Sequence, residues 1–260
     1  MINPWLFGLW GYLNGLARAR KLLVVCDYDG TLAPIVDDPS EAWPNPRAVE
    51  ALSGLGRLPD TRATVISGRD LAELRRLLNK PEAIILIGGH GAEADGAEPA
   101  ITPERRAILD EVAARLRSLT DFYPGSEVED KPVSVAFHYR RVDPSRQRRA
   151  ADKAARLSEE FTELRMMTGK RMVEFLGTDV DKGSVIAALT ERYGADRTVF
   201  IGDDVTDEDG FAALRARDVG IKVGRGPTLA SRRVRSVAGV ARLLRRLRWY
   251  RRRELTHPSR

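Results

Sequence analysis

The first apolar segment of the chain ends in two aspartates, and this feature constrains the fold more than any other. Residues 22–26 read LLVVC and are followed closely by Asp27 and Asp29. An unbroken apolar run of this length is typical of a parallel strand that is buried on both faces. In open α/β sheets, ligands bind at the carboxyl ends of such strands, so we expect both carboxylates to be functional.

A second acidic cluster follows a second apolar run. Residues 198–202 read TVFIG and lead into Asp203 and Asp204, with Asp207 shortly after. Carboxylates at two strand ends repel each other unless a cation lies between them, and Mg²⁺ prefers a shell of a few carboxylates, water and phosphate. The alternative is a pair of acidic turns that cap helix N-termini. Because each cluster follows an apolar strand, we favour a Mg²⁺ site.

The pattern of apolar residues predicts the fold class. Apolar runs separated by amphipathic segments recur up to residue 99 and again from residue 179, which is typical of a parallel sheet. Between them the chain changes to charged helices and alternating strands, as in a sheet with one polar face. We predict an α/β protein with a Rossmann-like parallel-sheet core, residues 21–99 and 179–247, and an inserted α+β cap domain, residues 100–178.

The two ends of the chain stand apart from this pattern. Residues 1–20 carry apolar side chains at helical spacing, which predicts an N-terminal amphipathic helix. The net charge of +6 is concentrated at the other end, because residues 241–260 contain eight arginines and one glutamate. We predict that residues 248–260 form a basic tail that is solvated or frayed. The rest of the chain has no basic stripe, so we expect neither a nucleic-acid nor a membrane partner.

Cysteine content and hydropathy indicate the environment of the protein. The single cysteine, Cys26, excludes an intrachain disulfide and fits a reducing compartment. No apolar run approaches the length that a membrane span requires, and no positive charge precedes the apolar residues of the first segment. We therefore expect a cytoplasmic protein.

Five side chains of the predicted core form a set suited to phosphoryl transfer. Asp27 can attack phosphorus and form an aspartyl-phosphate, while Asp29 can protonate the leaving oxygen and later accept a proton from water. Ser67 can donate a hydrogen bond to a phosphoryl oxygen, and Lys182 can neutralise the phosphate and Asp27. Asp203 completes a Mg²⁺ site with Asp27 and the backbone carbonyl of Asp29.

Some members of this set carry weaker signals than others. Alone, Ser67 is also typical of a helix N-cap and Lys182 of a solvated charge, and both gain weight from the order of the motifs. We include Asp207 in the site, acting through a water or through Lys182. The predicted metal site therefore comprises Asp27, Asp29, Asp203 and Asp207.

The order of these motifs resembles the haloacid dehalogenase superfamily of phosphohydrolases. In that superfamily an insert between the serine and lysine motifs is a C2-type cap. Longer segments resemble the trehalose-6-phosphate phosphatase family within it: DYDGTLAPIVDDP at 27–39, SGR at 67–69, GGHGAE at 88–93, VEDKPVSVAFHYR at 128–140, GKRMVEF at 169–175 and GDDVTDEDGF at 202–211.

The resemblance implies a Mg²⁺-dependent enzyme that hydrolyses trehalose 6-phosphate to trehalose and phosphate, the last step of trehalose biosynthesis. It implies that Glu129, Lys131 and Glu174 bind sugar hydroxyls from the cap. The full set of implied substrate-binding residues is Arg69, His90, Glu129, Lys131, Arg140 and Glu174. The chain departs from the family after Glu174, where residues 175–177 read FLG in place of a frequent Arg-Pro.

Two other functions remain open at this stage. Judged from the residues alone, the segment at 129–131 is more typical of an exposed polar turn than of a sugar site. One alternative is therefore a phosphatase for another sugar phosphate, such as sucrose phosphate or mannosylglycerate phosphate. The other is a regulatory module that keeps the fold without turnover, against which the complete set of catalytic side chains argues.

Overall fold

The computed structural model describes residues 4–36, 38–79, 81, 83–169 and 171–257, with the side chains of residues 4–10 outside that description. The backbone separates into two compact units. We call Met1–Gly91 with Asp181–Arg260 the core unit, and Ala92–Val180 the cap unit. The sequence pattern predicts a cap domain of residues 100–178. The cap unit begins earlier, at Ala92, and ends later, at Val180.

Helices and strands alternate along much of the chain. In chain order, the helices are α1 (Pro4–Ala17), α2 (Pro46–Gly56), α3 (Leu71–Leu77), α4 (Pro103–Thr120), α5 (Pro144–Ala155), α6 (Lys182–Tyr193), α7 (Asp207–Ala212) and α8 (Val237–Thr256). The strands are β1 (Leu22–Cys26), β2 (Thr61–Ile66), β3 (Ile85–Gly88), β4 (Glu93–Ala94), β5 (Glu127–Asp130), β6 (Ser134–His138), β7 (Arg165–Gly169), β8 (Met172–Leu176), β9 (Arg197–Gly202), β10 (Val219–Val223) and β11 (Arg232–Val234).

The core unit is built on a parallel sheet with the strand order β11-β10-β9-β1-β2-β3. Strand β1 lies near the middle, and all of its residues are buried, as its apolar sequence predicts. Cys26 pairs with Val65 of β2 on one side and Ile201 of β9 on the other. The residues that follow these strands therefore leave the sheet at one edge. This sheet confirms the predicted α/β fold class.

The C-terminal end differs from its prediction. Residues 248–256, expected to be solvated or frayed, belong to α8, and Arg251 is only 2% exposed. A buried guanidinium is tolerated where its donors are satisfied. Arg251 donates hydrogen bonds to the carbonyl oxygens of Ala17, Ala19, Arg20 and Asp60 and to the hydroxyl of Thr61. The high arginine content of this segment predicted a solvated end, but Arg251 connects α8 to residues 17–20 and 60–61, next to the first strands of the sheet.

The N-terminal segment contains the predicted helix. Helix α1 packs against α8 and buries Leu13, Leu16 and Ala17, while the first half of the predicted apolar stripe lies among residues whose side chains are not described. Within the part of the chain that the structure describes, no helix is both long and apolar enough to cross a bilayer.

The cap unit contains an antiparallel sheet in the order β5-β6-β8-β7. One face of this sheet carries Val135, Phe137, Val173 and Phe175, which form a hydrophobic core with side chains of α4 and α5. Because side chains alternate along a strand, the intervening residues lie on the opposite face. That second face carries the charged residues described below.

Candidate active site

A buried lysine connects two carboxylates at the carboxyl edge of the core sheet. Asp27 follows β1 and is 5% exposed, and its N–H donates to the carbonyl of Ile201, 2.8 Å away. Lys182 is the first residue of α6, a helix that starts with a capping box between Asp181 and Ser184. Its Nζ donates to Asp27 Oδ1 at 2.7 Å and to Asp207 Oδ1 at 2.6 Å. The structure thus brings together three predicted residues, one directly after β1, one in α6 and one in α7.

The electrostatics of this cluster favour a cation. Burial raises the pKa of Asp27 well above its ordinary value; Lys182 opposes this rise, and the carboxylates of Asp207 and Asp203 add to it. Burial alone would lower the pKa of Lys182, but Asp207 and Asp27 raise it above its ordinary value, so the ammonium stays charged. Three carboxylates with a single ammonium leave an excess of negative charge.

The geometry of the carboxylates also fits a hard cation such as Mg²⁺. Ligand-capable oxygens of Asp27, Asp203 and Asp207 lie within 4.8 Å of one another. Gly30 makes this arrangement possible, because its φ is +80° and a Cβ there would collide with the Asp203 carboxylate. Oxygen-rich sets with few carboxylates are what Mg²⁺ prefers.

Asp207 holds the acidic loop in addition to its contact with Lys182. Its Oδ2 accepts hydrogen bonds from the backbone N–H groups of Asp203 and Asp204, at 2.7 and 2.9 Å. Both oxygens of the fully buried Asp207 are therefore engaged, which leaves Asp27 and Asp203 as the better-placed side-chain ligands for a metal.

Arg69 contacts both oxygens of Asp29. Its Nε donates to Asp29 Oδ2 at 2.7 Å and its Nη2 to Asp29 Oδ1 at 2.8 Å. A third nitrogen, Nη1, donates to Glu73 Oε1 at 2.5 Å. Burial alone would lower the pKa of Arg69, and its hydrogen bonds to Asp29 together with nearby acidic groups raise it. Arg69 was expected near the substrate, whereas Glu73 carried no predicted role; it lies in the first turn of α3, and Arg69 precedes the N-cap Asp70 of that helix.

Ser67 and His90 lie beside Arg69 at the ends of neighbouring strands. The hydroxyl of Ser67, a residue that is 2% exposed, accepts a hydrogen bond from the N–H of Arg69, and its carbonyl accepts from the N–H of His90. The His90 ring lies over Gly68, where a Cβ would come within 2.5 Å of the imidazole. His90 itself has a φ of 57°, in the left-handed region. Gly68 therefore makes room for the imidazole that sequence analysis assigned to the substrate site.

The cap unit carries a second charged cluster on the polar face of its sheet. Glu129 of β5 and Glu174 of β8 both pair with Ala136 of β6, so the two carboxylates lie in one row. Lys131 Nζ lies 3.4 Å from Glu129 Oε2 and 3.3 Å from Glu174 Oε1. Ser134 donates to Glu174 Oε1 at 2.7 Å. The three cap residues implied by the family resemblance therefore form one cluster.

His138 adds an imidazole to this cap cluster. Its Nε2 lies 2.9 Å from Glu129 Oε2. Burial would raise the pKa of Glu129, but His138 and Lys131 lower it below its ordinary value. Burial would lower the pKa of Lys131, whereas Glu174 and Glu129 raise it. Arg140, the remaining predicted residue, lies in the turn after β6, where its carbonyl accepts a hydrogen bond from Gln147.

Ser134 and His138 carried no predicted role, although both lie in the segment 128–140 that carries the resemblance. Their spacing was a usable signal, because residues 134, 136 and 138 share one face of a strand.

Comparisons with known proteins place this chain in a family. A family model described as trehalose-phosphatase matches residues 25–237. The chain is 36% identical over 222 residues to the trehalose-phosphate phosphatase of Mycobacterium leprae, and the alignment covers 78% of this chain and 50% of that protein. The chain belongs to the trehalose-phosphatase family. It spans about half the length of the mycobacterial relatives that it matches.

Other members of the trehalose-phosphatase family match over more of their length. The trehalose-6-phosphate phosphatase of Escherichia coli is 35% identical over 219 residues, which cover 82% of each protein. The solved C-terminal domain of the C. albicans trehalose-6-phosphate phosphatase superposes with a TM-score of 0.79 at 25% identity, covering 93% of this chain and 97% of that one. The family model therefore covers all of the cap unit and most of the core unit, but not α1 or the greater part of α8.

Proposed function

We propose that this chain is a Mg²⁺-dependent phosphatase that hydrolyses trehalose 6-phosphate to trehalose and phosphate through an aspartyl-phosphate intermediate. The observation that carries the proposal is the contact of Lys182 with Asp27 at the end of β1, 2.7 Å between Nζ and Oδ1, with Asp203 beside it. The choice of substrate is supported by family membership, since the relatives are named for this sugar phosphate.

Asp27 and Asp29 divide the chemistry between them. In the first step an oxygen of Asp27 attacks phosphorus, the bond from phosphorus to the sugar oxygen breaks, and Asp29 gives that oxygen a proton. In the second step Asp29 takes a proton from water as the water oxygen attacks phosphorus. The bond between phosphorus and Asp27 then breaks, which releases phosphate and restores both carboxyl groups.

The remaining core residues orient these groups and neutralise charge. Lys182 fixes the Asp27 carboxylate, and Ser67 offers a hydroxyl to a phosphoryl oxygen. Mg²⁺, when held by Asp27, Asp203 and the carbonyl of Asp29, supplies positive charge that offsets the charge of the phosphoryl oxygens. Arg69 fixes the orientation of Asp29. To reach Asp29, the leaving oxygen has to replace one of the two hydrogen bonds that Arg69 donates to this carboxylate.

The cap cluster is our candidate for sugar recognition. Glu129, Lys131 and Glu174 offer acceptors and a donor on one face, which suits a ligand with many hydroxyls. His90 and Arg140 are assigned to the substrate by family resemblance. Charged partners for hydroxyls discriminate between sugars because an unmatched hydroxyl leaves a buried polar group unpaired.

A substrate panel tests this proposal. We expect phosphate release from trehalose 6-phosphate to exceed that from sucrose phosphate and mannosylglycerate phosphate by at least about tenfold in kcat/KM. EDTA should abolish release and added Mg²⁺ should restore it. Higher activity on another sugar phosphate would favour the second candidate, and no release from any substrate would favour a regulatory module. Full activity in EDTA would contradict the metal assignment alone.

A further inference from the structure

The edge strand β5 presents its alternate side chains to two different environments. Glu129 and the following Lys131 belong to the cap cluster, while Asp130, between them, points to the other side of the strand. Strand β5 has β6 on one side only, so one of its edges has no strand partner in the described sheet. Because one row of backbone groups of an edge strand is unpaired with a strand, contacts with other elements add to the support of β5.

Two arginines of α4 donate hydrogen bonds to the last residue of β5, on the side of the strand away from the cap cluster. Arg106 Nη2 donates to Asp130 Oδ1 at 3.0 Å, and Arg117 Nη2 donates to Asp130 Oδ2 at 2.8 Å. Each oxygen of Asp130 is therefore held by a different arginine. Arg106 Nη1 also donates to the carbonyl of Lys131 at 2.7 Å, so one guanidinium contacts both the side chain of residue 130 and the backbone of residue 131.

The guanidinium of Arg106 is itself held in place by its own helix. Asp110, one turn further along α4, accepts from Arg106 Nη2 at 2.6 Å and from Nε at 3.1 Å. An isolated surface ion pair contributes little, but a network with several fixed hydrogen bonds restricts geometry. The side chains of Arg106 and Asp130 are 27% and 36% exposed, so this pair is partly shielded from water, whereas Asp110 and Arg117 are 65% and 56% exposed.

We propose that Arg106 and Arg117 are positioning residues for sugar recognition: they hold Asp130 and the backbone of Lys131 so that Glu129 and Lys131 stay in register with Glu174. This inference rests on the proposed function of the cap cluster. Neither arginine needs to touch the substrate. A displacement of about 1 Å at a binding group costs up to about a hundredfold in activity, so removal of a positioning residue has a measurable effect.

The test compares Arg106→Gln with Arg115→Gln, a matched control on the same helix. Arg115 is 48% exposed and pairs with Glu160, away from β5. The measured quantity is the ratio of kcat/KM for trehalose 6-phosphate to kcat/KM for p-nitrophenyl phosphate. We expect Arg106→Gln to lower this ratio about tenfold, mainly through KM for the sugar phosphate. Arg115→Gln should leave it within about twofold of the wild type.

A double-mutant cycle with Glu129→Gln separates positioning from general damage. If Arg106 acts through β5, the two substitutions together lower the ratio by less than the product of their separate effects. Three outcomes would each overturn the inference while leaving the sugar site intact. The effects of the two substitutions could be multiplicative, Arg106→Gln could lower activity equally on both substrates, or its ratio could equal that of Arg115→Gln. If Glu129→Gln itself left the ratio unchanged, the cap cluster would not read the sugar, and the inference would fall with that part of the proposed function.

Discussion

The core and cap units each place a lysine between two carboxylates, but the two clusters differ in tightness. Lys182 Nζ lies 2.7 and 2.6 Å from its carboxylate partners, whereas Lys131 Nζ lies 3.4 and 3.3 Å from its own. The side chains of Asp27 and Asp207 are 7% and 0% exposed. In the cap cluster, by contrast, Glu129 is 41% exposed, although Lys131 and Glu174 are only 9% and 2% exposed.

The difference follows from where each cluster lies in its sheet. The core cluster is assembled from the end of β1 and the starts of α6 and α7, and backbone N–H groups fix Asp207. The cap cluster lies on the open face of an antiparallel sheet. Phosphoryl transfer depends on fixed geometry, whereas binding of hydroxyls needs groups that a ligand can reach. The same three charges therefore form a rigid, buried arrangement at the edge of the core sheet and a looser one, with one exposed carboxylate, on the cap sheet.

The largest expected effect is the loss of turnover in Asp27→Asn. An amide cannot attack phosphorus, so activity on trehalose 6-phosphate and on p-nitrophenyl phosphate should both fall by about 10⁴-fold or more. The matched control is Asp209→Asn, at an exposed residue of α7, which should keep wild-type rates. Near-wild-type activity in Asp27→Asn would exclude the aspartyl-phosphate route.

The two lysines should differ in their effect on stability. Lys182→Met leaves two buried carboxylates without their ammonium and should lower the free energy of unfolding by about 3–5 kcal/mol. Lys131→Met should cost less, about 1–3 kcal/mol, because Glu129 remains partly solvated and Ser134 still donates to the buried Glu174. Urea denaturation of both variants measures the contrast. Equal losses would contradict the division into a rigid core cluster and an open cap cluster.

A smaller effect is expected from Glu174→Gln, and it should depend on the substrate. A lost charged hydrogen bond is worth about 1.5–3 kcal/mol, so kcat/KM for trehalose 6-phosphate should fall about ten- to a hundredfold. Hydrolysis of p-nitrophenyl phosphate should fall much less, since the core cluster is unchanged. Glu163→Gln, at an exposed residue of the same unit, is the control. Equal losses on both substrates would show that Glu174 supports the fold instead.

The same contrast explains which elements sequence analysis predicted. The core sheet was predictable because most of its strands are buried apolar runs and two of them, β1 and β9, are followed by carboxylates, which is a local pattern. Judged from its residues alone, the segment at 129–131 is more typical of a polar turn. In the structure its first residue lies in β5 and pairs with Ala136. This pairing depends on the register of two strands, which the local sequence does not specify. Helix α2 was not predicted, although Asn45 caps it and Pro46 is its first residue, both recognised start signals.

Arg251 and the pair of Glu129 with His138 show why other features were missed. The carbonyl of Asp60 that accepts from Arg251 lies 191 residues away along the chain, so charge composition alone predicted a solvated tail. The pair of Glu129 with His138 joins neighbouring strands whose register had to be known first. Roles assigned to the site residues from resemblance remain predictions until the variants are measured.

The smallest expected effect is a pH-dependent contribution of Glu129 to stability. His138 and Lys131 lower the pKa of Glu129 despite its burial, so its ionised form is favoured in the folded state. A lowered folded-state pKa contributes stability that is fully present above the ordinary carboxyl range and is lost as pH falls through the folded-state value. Glu129→Gln removes this contribution. The wild type should therefore exceed the variant in free energy of unfolding at pH 7 by less than about 1 kcal/mol, and the difference should shrink below about pH 4.5. Urea titrations of both proteins at stepwise lower pH measure it, and a difference that stayed constant or grew on acidification would mean that Glu129 gains no net stabilisation from its two partners.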